Sequence, residues 1–297
     1  MALLECPRCR AGLEPADEGL RCTADPAHAF PVVGGVPVFI DESSVTGEEQ
    51  YVHQRAHFDA EFGELTEYRL EDWRRSYLTR LEGYGCMGGA GRLLVDVGVG
   101  GTGYTVIESA RLGGDAIGCD LSLVGLAQAR RLAESQGLAD RTLFVCCSAE
   151  DVPVRAGAAD VVLAVAVLEH VPDPAALLRS ASRMLRPGGR MAVVVPHAMR
   201  EFSPVWWLPN YVHDRRLGHL RRYRAEGLGR DLAAAGLRPT TAEFTGHSVK
   251  VLQIVAPPAL PGRRGERRWW RCERADLQRR RRRRGAMQLT VVAAKPS

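Results

Sequence analysis

The sequence predicts an α/β protein: a doubly wound, mostly parallel sheet with a small extra domain at the N-terminus. Three observations predict it. From about residue 92 onward, short apolar runs alternate with stretches of helical period. The run RLLVDVGVGGTGYTV at 92–106 sets an acid and then glycines between a strand and a helix. Far ahead of both stands Cys6-Pro-Arg-Cys9, followed by Cys22 and His28.

The composition agrees. With 297 residues, 45% of them hydrophobic, the chain has material for one large domain and a small one. No basic-then-apolar segment opens it, and no uncharged apolar run approaches the ~18 residues that span a bilayer. A cytoplasmic protein with no membrane partner is expected. The net charge of +5 hides an asymmetry: residues 1–50 carry 3 Lys/Arg against 9 Asp/Glu, whereas 197–297 carry 22 against 8. Cys119, Cys146 and Cys147 fall in apolar runs, where thiols serve as small hydrophobes, so a disulfide framework is not expected.

Taken in order, residues 1–42 read as a zinc-ribbon-like domain. Cys6-x2-Cys9 and Cys22-x5-His28 have the spacing of a structural zinc site, two ligands from each of two turns. The usual fourth ligand follows the third by two or three residues, whereas His28 follows by five, and Asp25 is the alternative. A segment of ~40 residues with so few apolar side chains depends on a metal to fold. Residues 43–91 then supply an acidic link and helices in which charged and apolar residues alternate over 51–83. Strands are expected at 92–97, 115–119, 142–147, 159–165, 190–195, 239–245 and 287–294, with helices at 103–111, 122–136, 174–185 and 225–235.

The glycine loop has three possible occupants. A P-loop needs a lysine behind the glycines, and the first lysine of the chain is Lys250. A dinucleotide sets its diphosphate against such a turn, where Asp96 would repel it. Asp96 suits a cation instead, such as the α-ammonium of a methionine moiety. Asp120, closing the second strand in AIGCD, can accept both hydroxyls of a ribose. Together these residues describe S-adenosylmethionine.

DVGVGGTG, GCD, CSAEDVP, ADVVLAVAVLEHVPDP and RMLRPGGRMAVVVP, in that order, resemble a class I SAM-dependent methyltransferase of the small-molecule type over about residues 55–295. The resemblance implies a seven-stranded Rossmann-like sheet with a reversed last strand, its final hairpin supplied by VKVLQIVA and AMQLTVVAAKP. It implies a methyltransferase domain over 92–297. It also implies that Asp96, Gly98, Gly100 and Gly101 line the methionine moiety, that Asp120 and Leu121 take the ribose, and that Ser148, Ala149 and Glu150 form the adenine edge. Ala164 and Tyr51 complete the cofactor set. An extra residue in the loop leaves the third glycine role to Gly101 or Gly103, and Ser148 replaces the acid often found at its position. The N-terminal segment resembles the zinc ribbons that precede some rRNA guanine methyltransferases and the small zinc-ribbon partners of tRNA methyltransferases.

Methyl transfer from a sulfonium needs an aligned nucleophile, and a base only if that nucleophile starts protonated. His170 and His197 follow the fourth and fifth strands, at the sheet edge where such sites lie, and His197 is the better candidate base. The insertion at about 198–224 falls where the family builds its substrate lid. Its Trp206, Trp207, Tyr211, His213, Asp214 and His219 have the make-up of a small-molecule pocket. Tyr51, His53, His57 and Phe58 lie on a helix that relatives fold over the cofactor, with His57 a candidate for the substrate.

Twelve arginines in 263–284, with Trp269 and Trp270 among them, suit a nucleic-acid backbone. An RNA base methyltransferase is therefore the rival reading. Two facts oppose it: the fourth strand ends in AVAVLEH rather than an Asn/Asp-Pro-Pro-aromatic motif, and the chain has only two lysines, so the arginines reflect codon bias and the run is a solvated loop. The expected partner is a small-molecule substrate, anionic if the basic third draws it, such as an intermediate of bacterial natural-product biosynthesis. The protein is expected as a monomer or homodimer. A catalytically dead activator is opposed by the presence of Asp96, Gly98, Gly100 and Asp120.

Overall fold

The computed structural model describes residues 3–17, 19–40, 55, 56, 59, 67–201, 207–247 and 263–297. Tyr51, His53, His57, Phe58, Trp206 and the run VKVLQIVA lie outside them.

The N-terminal segment forms an antiparallel sheet of β1 (Leu13–Ala16), β2 (Gly19–Cys22), β3 (Ala29–Val33) and β4 (Val36–Pro37). It is docked rather than tethered. Glu5 N donates to Pro153 O at 2.9 Å, Arg155 N to Leu3 O at 3.0 Å and Phe39 N to Cys146 O at 2.8 Å. Leu4, Leu20 and Phe30 share one buried apolar cluster with Val145, Val152 and Val154.

After helix α1 (Asp72–Gly83) come β5 (Leu93–Val97), α2 (Tyr104–Arg111), β6 (Asp115–Asp120), α3 (Leu123–Ser135), β7 (Thr142–Cys146), β8 (Ala159–Val165), α4 (Pro174–Met184) and β9 (Leu185–Pro196). Then follow α5 (Trp207–Leu217), α6 (Ala225–Ala234), β10 (Arg238–Thr245), α7 (Arg263–Gln278) and β11 (Gln288–Ala294). The seven-stranded sheet runs β10-β11-β9-β8-β5-β6-β7. Only β11 runs against its neighbours, pairing antiparallel with both β9 and β10. Every residue of β5 is buried, as befits a central strand covered on both faces.

Among the described residues the outer antiparallel partner of the last strand is Arg238–Thr245. Two details depart from expectation. Strand β9 starts five residues early, because Leu185 already pairs with Ala159 and carries the turn residues into the ladder. The first part of the arginine-rich stretch is helix rather than loop. Arg, Glu, Leu and Gln favour helix, and α7 is tied down at two points: Glu273 accepts from Ser76 Oγ at 2.7 Å, while buried Asp276 holds His247 Nδ1 at 2.7 Å. Among the described residues no helix is long and apolar enough to cross a membrane.

Candidate active site

The loop after β5 turns at Gly98, with φ of 77°. A Cβ there would come within 2.1 Å of Val167 Cγ2, so the position has room only for glycine. The third left-handed glycine is Gly103, at the N-terminus of α2, where a Cβ would press on Ala129 and Phe144. Gly101 has ordinary backbone, and its carbonyl accepts from the buried Gln128 Nε2 at 2.8 Å.

Asp96 is 2% exposed. Its Oδ2 accepts from Thr105 Oγ in the first turn of α2, while Oδ1 has no hydrogen-bond partner among the described residues. Burial drives its pKa up to about 7; the Thr105 hydroxyl opposes this and Asp120 adds to it. Asp120 accepts from Gly100 N at 2.9 Å through one oxygen and from Ser122 N at 3.0 Å through the other. Each oxygen keeps a lone pair, enough for two further donors. Helix α1 packs over this end and brings Tyr77, whose buried hydroxyl lacks a partner among the described residues and is pushed well up by burial, Tyr104 and Asp96.

The adenine-edge candidates form a compact turn. Glu150 N donates to Ser148 Oγ at 3.2 Å, and Glu150 Oε1 accepts from Asp173 N at 2.8 Å, at the start of α4. Ser148, Ala149 and Glu150 all stay partly exposed, as does Leu121, whose carbonyl accepts from Cys146 Sγ at 3.5 Å. Ala164 is fully buried within the sheet between Val97 and Val193. The chain turns away two residues later, at Ala166, a non-glycine residue with φ of 55°.

The two histidines offered as bases end in different surroundings. His197 is fully buried, its Nδ1 3.0 Å from Ala286 O and its ring 5.2 Å from that of Phe244. Burial lowers its pKa, so it is neutral near pH 7. His170 lies beside the lid instead, its ring 4.8 Å from that of His219 and edge-on to it.

A strap built from 219–223 fixes that pairing. Leu220 N donates to Glu169 O at 2.8 Å, Tyr223 OH to Leu168 O at 3.0 Å and Arg221 to Val171 O at 2.8 Å. Behind it, Asp214 on α5 accepts from Arg222 through both oxygens, at 2.6 and 2.7 Å, and holds His219 Nδ1 at 2.8 Å. Burial raises the Asp214 pKa, but His219 and Arg222 more than offset this and leave it below the usual range. The same Arg222 reaches His197 O at 3.1 Å and Asn210 Oδ1 at 3.0 Å. His213 sits 6.0 Å from His219, ring to ring, with its pKa lowered by burial. Trp207 and Tyr211 face outward instead, 46% and 50% exposed.

Sequence reasoning did not single out Glu169, Tyr77 or Arg222. Glu169 is 1% exposed, and its pKa climbs to about 8 through burial, with Asp214 adding and Arg222 opposing.

At the N-terminus, ligand atoms of Cys6, Cys9, Cys22 and His28 lie within 4.8 Å of one another. Cys6 Sγ is 3.5 Å from His28 Nδ1, and Cys9 Sγ is 3.3 Å from Cys22 Sγ. Asp25 stands behind the cluster, its Oδ2 3.4 Å from His28 Nε2.

A methyltransferase-domain family model matches residues 95–193. The ubiquinone biosynthesis O-methyltransferase of Methylococcus capsulatus is 33% identical over 195 residues, covering 58% of this chain and 80% of that protein. A tRNA 5-carboxymethoxyuridine methyltransferase of Escherichia coli is 38% identical over 106 residues, covering 35% of this chain and only 40% of that protein's length. The fold is shared with geranyl diphosphate C-methyltransferase from Streptomyces coelicolor, solved with Mg2+, geranyl-S-thiolodiphosphate and S-adenosyl-L-homocysteine. That likeness has a TM-score of 0.58 and 22% identity, over 75% of this chain and 76% of that one.

Proposed function

Since the chain belongs to the class I S-adenosylmethionine-dependent methyltransferases, we propose that it methylates a small-molecule acceptor held between the glycine loop and the strapped lid. The buried, unpartnered Oδ1 of Asp96 beside Asp120 carries the cofactor half of this reading. A carboxylate without a partner is costly to bury, and a cationic ligand relieves that cost. In the reading, Asp96 holds the α-ammonium, Asp120 takes the ribose hydroxyls, and Ser148 with Glu150 borders the adenine. S-adenosylmethionine, when bound, supplies a methyl group already activated on a sulfonium.

The acceptor half rests on the strap at 219–223. It brings His170 and His219 together next to Val167, which touches Gly98 of the loop. We assign acceptor contact to His170, with His213 and His219 as neighbours, and a packing role to His197, whose ring is enclosed by Phe244 and Ala286. A chain that excludes water here and orients the nucleophile supplies proximity, the main contribution in such displacements. The test is transfer of labelled methyl to a panel of phenolic and carboxylated small molecules, alongside transfer RNA. Labelling of RNA alone would overturn the proposal.

We also propose a structural zinc held by Cys6, Cys9, Cys22 and His28. The four-ligand set and its backbone donors, such as Ala24 N to Cys22 Sγ at 3.4 Å, suit a closed thiolate site. Asp25 orients His28 from behind.

RNA methylation stands as the second reading, favoured by one observation: Arg279, Arg280, Arg281, Arg282 and Arg284 stay exposed in a row. Affinity for a structured RNA, measured against salt, decides it. Tight binding with a steep slope moves RNA ahead, and weak, shallow binding removes it.

A further inference from the structure

We propose that Glu169, His170 and His219 form a second metal site, distinct from the thiolate cluster, which binds a divalent transition metal under the lid. One ligand atom from each of the three lies within 4.8 Å of the others. Two imidazoles and a carboxylate suit zinc, iron or manganese, and leave coordination positions open.

Three observations carry it. Glu169 is 1% exposed, and its Oε2 has no hydrogen-bond partner among the described residues, a costly arrangement unless something unites that oxygen with its neighbours. His219 has its Nδ1 engaged by Asp214 at 2.8 Å, so Nε2 is the nitrogen left to ligate. A carboxylate behind a ligating histidine is the usual outer-shell arrangement of a metal site. The geometry is also fixed in advance, because the strap bonds Leu220 to Glu169 O, Tyr223 to Leu168 O and Arg221 to Val171 O.

The site lies two residues beyond Val167, whose methyl abuts Gly98 of the cofactor loop. An acceptor hydroxyl that takes an open position on the metal loses its proton more readily. That proton passes to solvent, the oxygen lone pair takes the methyl carbon, and the electron pair of the broken S–CH3 bond stays on sulfur. What the ion does rests on the methyl-transfer reading, but whether it binds does not.

The test titrates cobalt(II) into metal-stripped full-length protein, followed by absorption, for wild type, Cys9→Ser, Glu169→Gln and His219→Ala. S-adenosylmethionine binding is measured in parallel. Wild type should take up a cobalt ion whose bands lack thiolate charge transfer, and Cys9→Ser should retain it. Glu169→Gln and His219→Ala should each weaken that ion at least tenfold, while keeping the thiolate bands and cofactor affinity. Cobalt confined to the thiolate site would overturn the proposal, as would a thiolate-free ion bound equally by wild type and both variants. Loss of cofactor binding in wild type would instead count against the methyl-transfer reading.

Discussion

Asp96 has a charge problem that the proposed cofactor would solve. Folding raises its pKa from 3.8 to about 7, mainly by burial. The stability this group contributes is therefore full below about pH 4 and is lost as pH rises through about 7. A bound ammonium reverses the preference, since it favours the ionised carboxylate. Affinity for S-adenosylmethionine should thus strengthen as pH rises from 6 and level off above about 7; calorimetry across that range checks it, and a flat profile removes Asp96 from the cofactor site. Asp96→Asn should lose the pH dependence and about 1.5–3 kcal/mol of binding, the worth of a hydrogen bond to a charged group. The placement of Asp96 and Asp120 at strand ends against the glycine loop was legible, because both close apolar runs and one directly precedes the glycines. Glu169 was not, because nothing local in LEH says that its carboxylate is buried under a segment fifty residues away. Arg222 was equally hidden, one among many arginines in a chain that uses almost no lysine.

Among elements, α5 and the strap behave as one piece held by Arg222. Arg222→Gln leaves Asp214 with His219 alone, and removing one partner of such a buried pair costs about 3–5 kcal/mol. Denaturant unfolding should show a loss of that order, and proteolysis should cut within 207–223, while cofactor affinity holds. An uncut lid in this variant would show that the strap bonds suffice without it. The strands of the seven-stranded sheet were readable to within a residue or two, except the start of β9, because strands buried on both faces are continuous apolar runs. Helix α7 escaped for the opposite reason: more than half of its residues are charged, and its anchor is Ser76, 197 positions earlier. The outward turn of Trp207 and Tyr211 was likewise not visible in the sequence, since aromatic residues in a lid suit a pocket wall and an outer face alike.

At the scale of the molecule, the thiolate module supports the sheet edge as well as itself. It bonds to Cys146, Pro153 and Arg155 along and beyond β7. Cys9→Ser should therefore abolish the proposed zinc binding and also raise hydrogen exchange over 146–155, next to the proposed adenine edge. Faster exchange confined to residues before 40 would mean that the two parts are stable independently. The charge asymmetry, with its acidic head and basic last third, belongs to this scale too, and was fully legible as composition.

The place of β11 has a consequence for how the chain is made. It is the last strand in sequence, yet it lies between β9 and β10. A ribosome thus delivers the glycine loop, Asp120 and their parallel neighbours long before β10 has any strand to pair with. His197 waits as well, since its backbone N–H and ring bond to Met287 and Ala286. The half with the glycine loop, proposed to hold the cofactor, can assemble during translation, whereas the half with His197 and β10 waits for β11 to slide in.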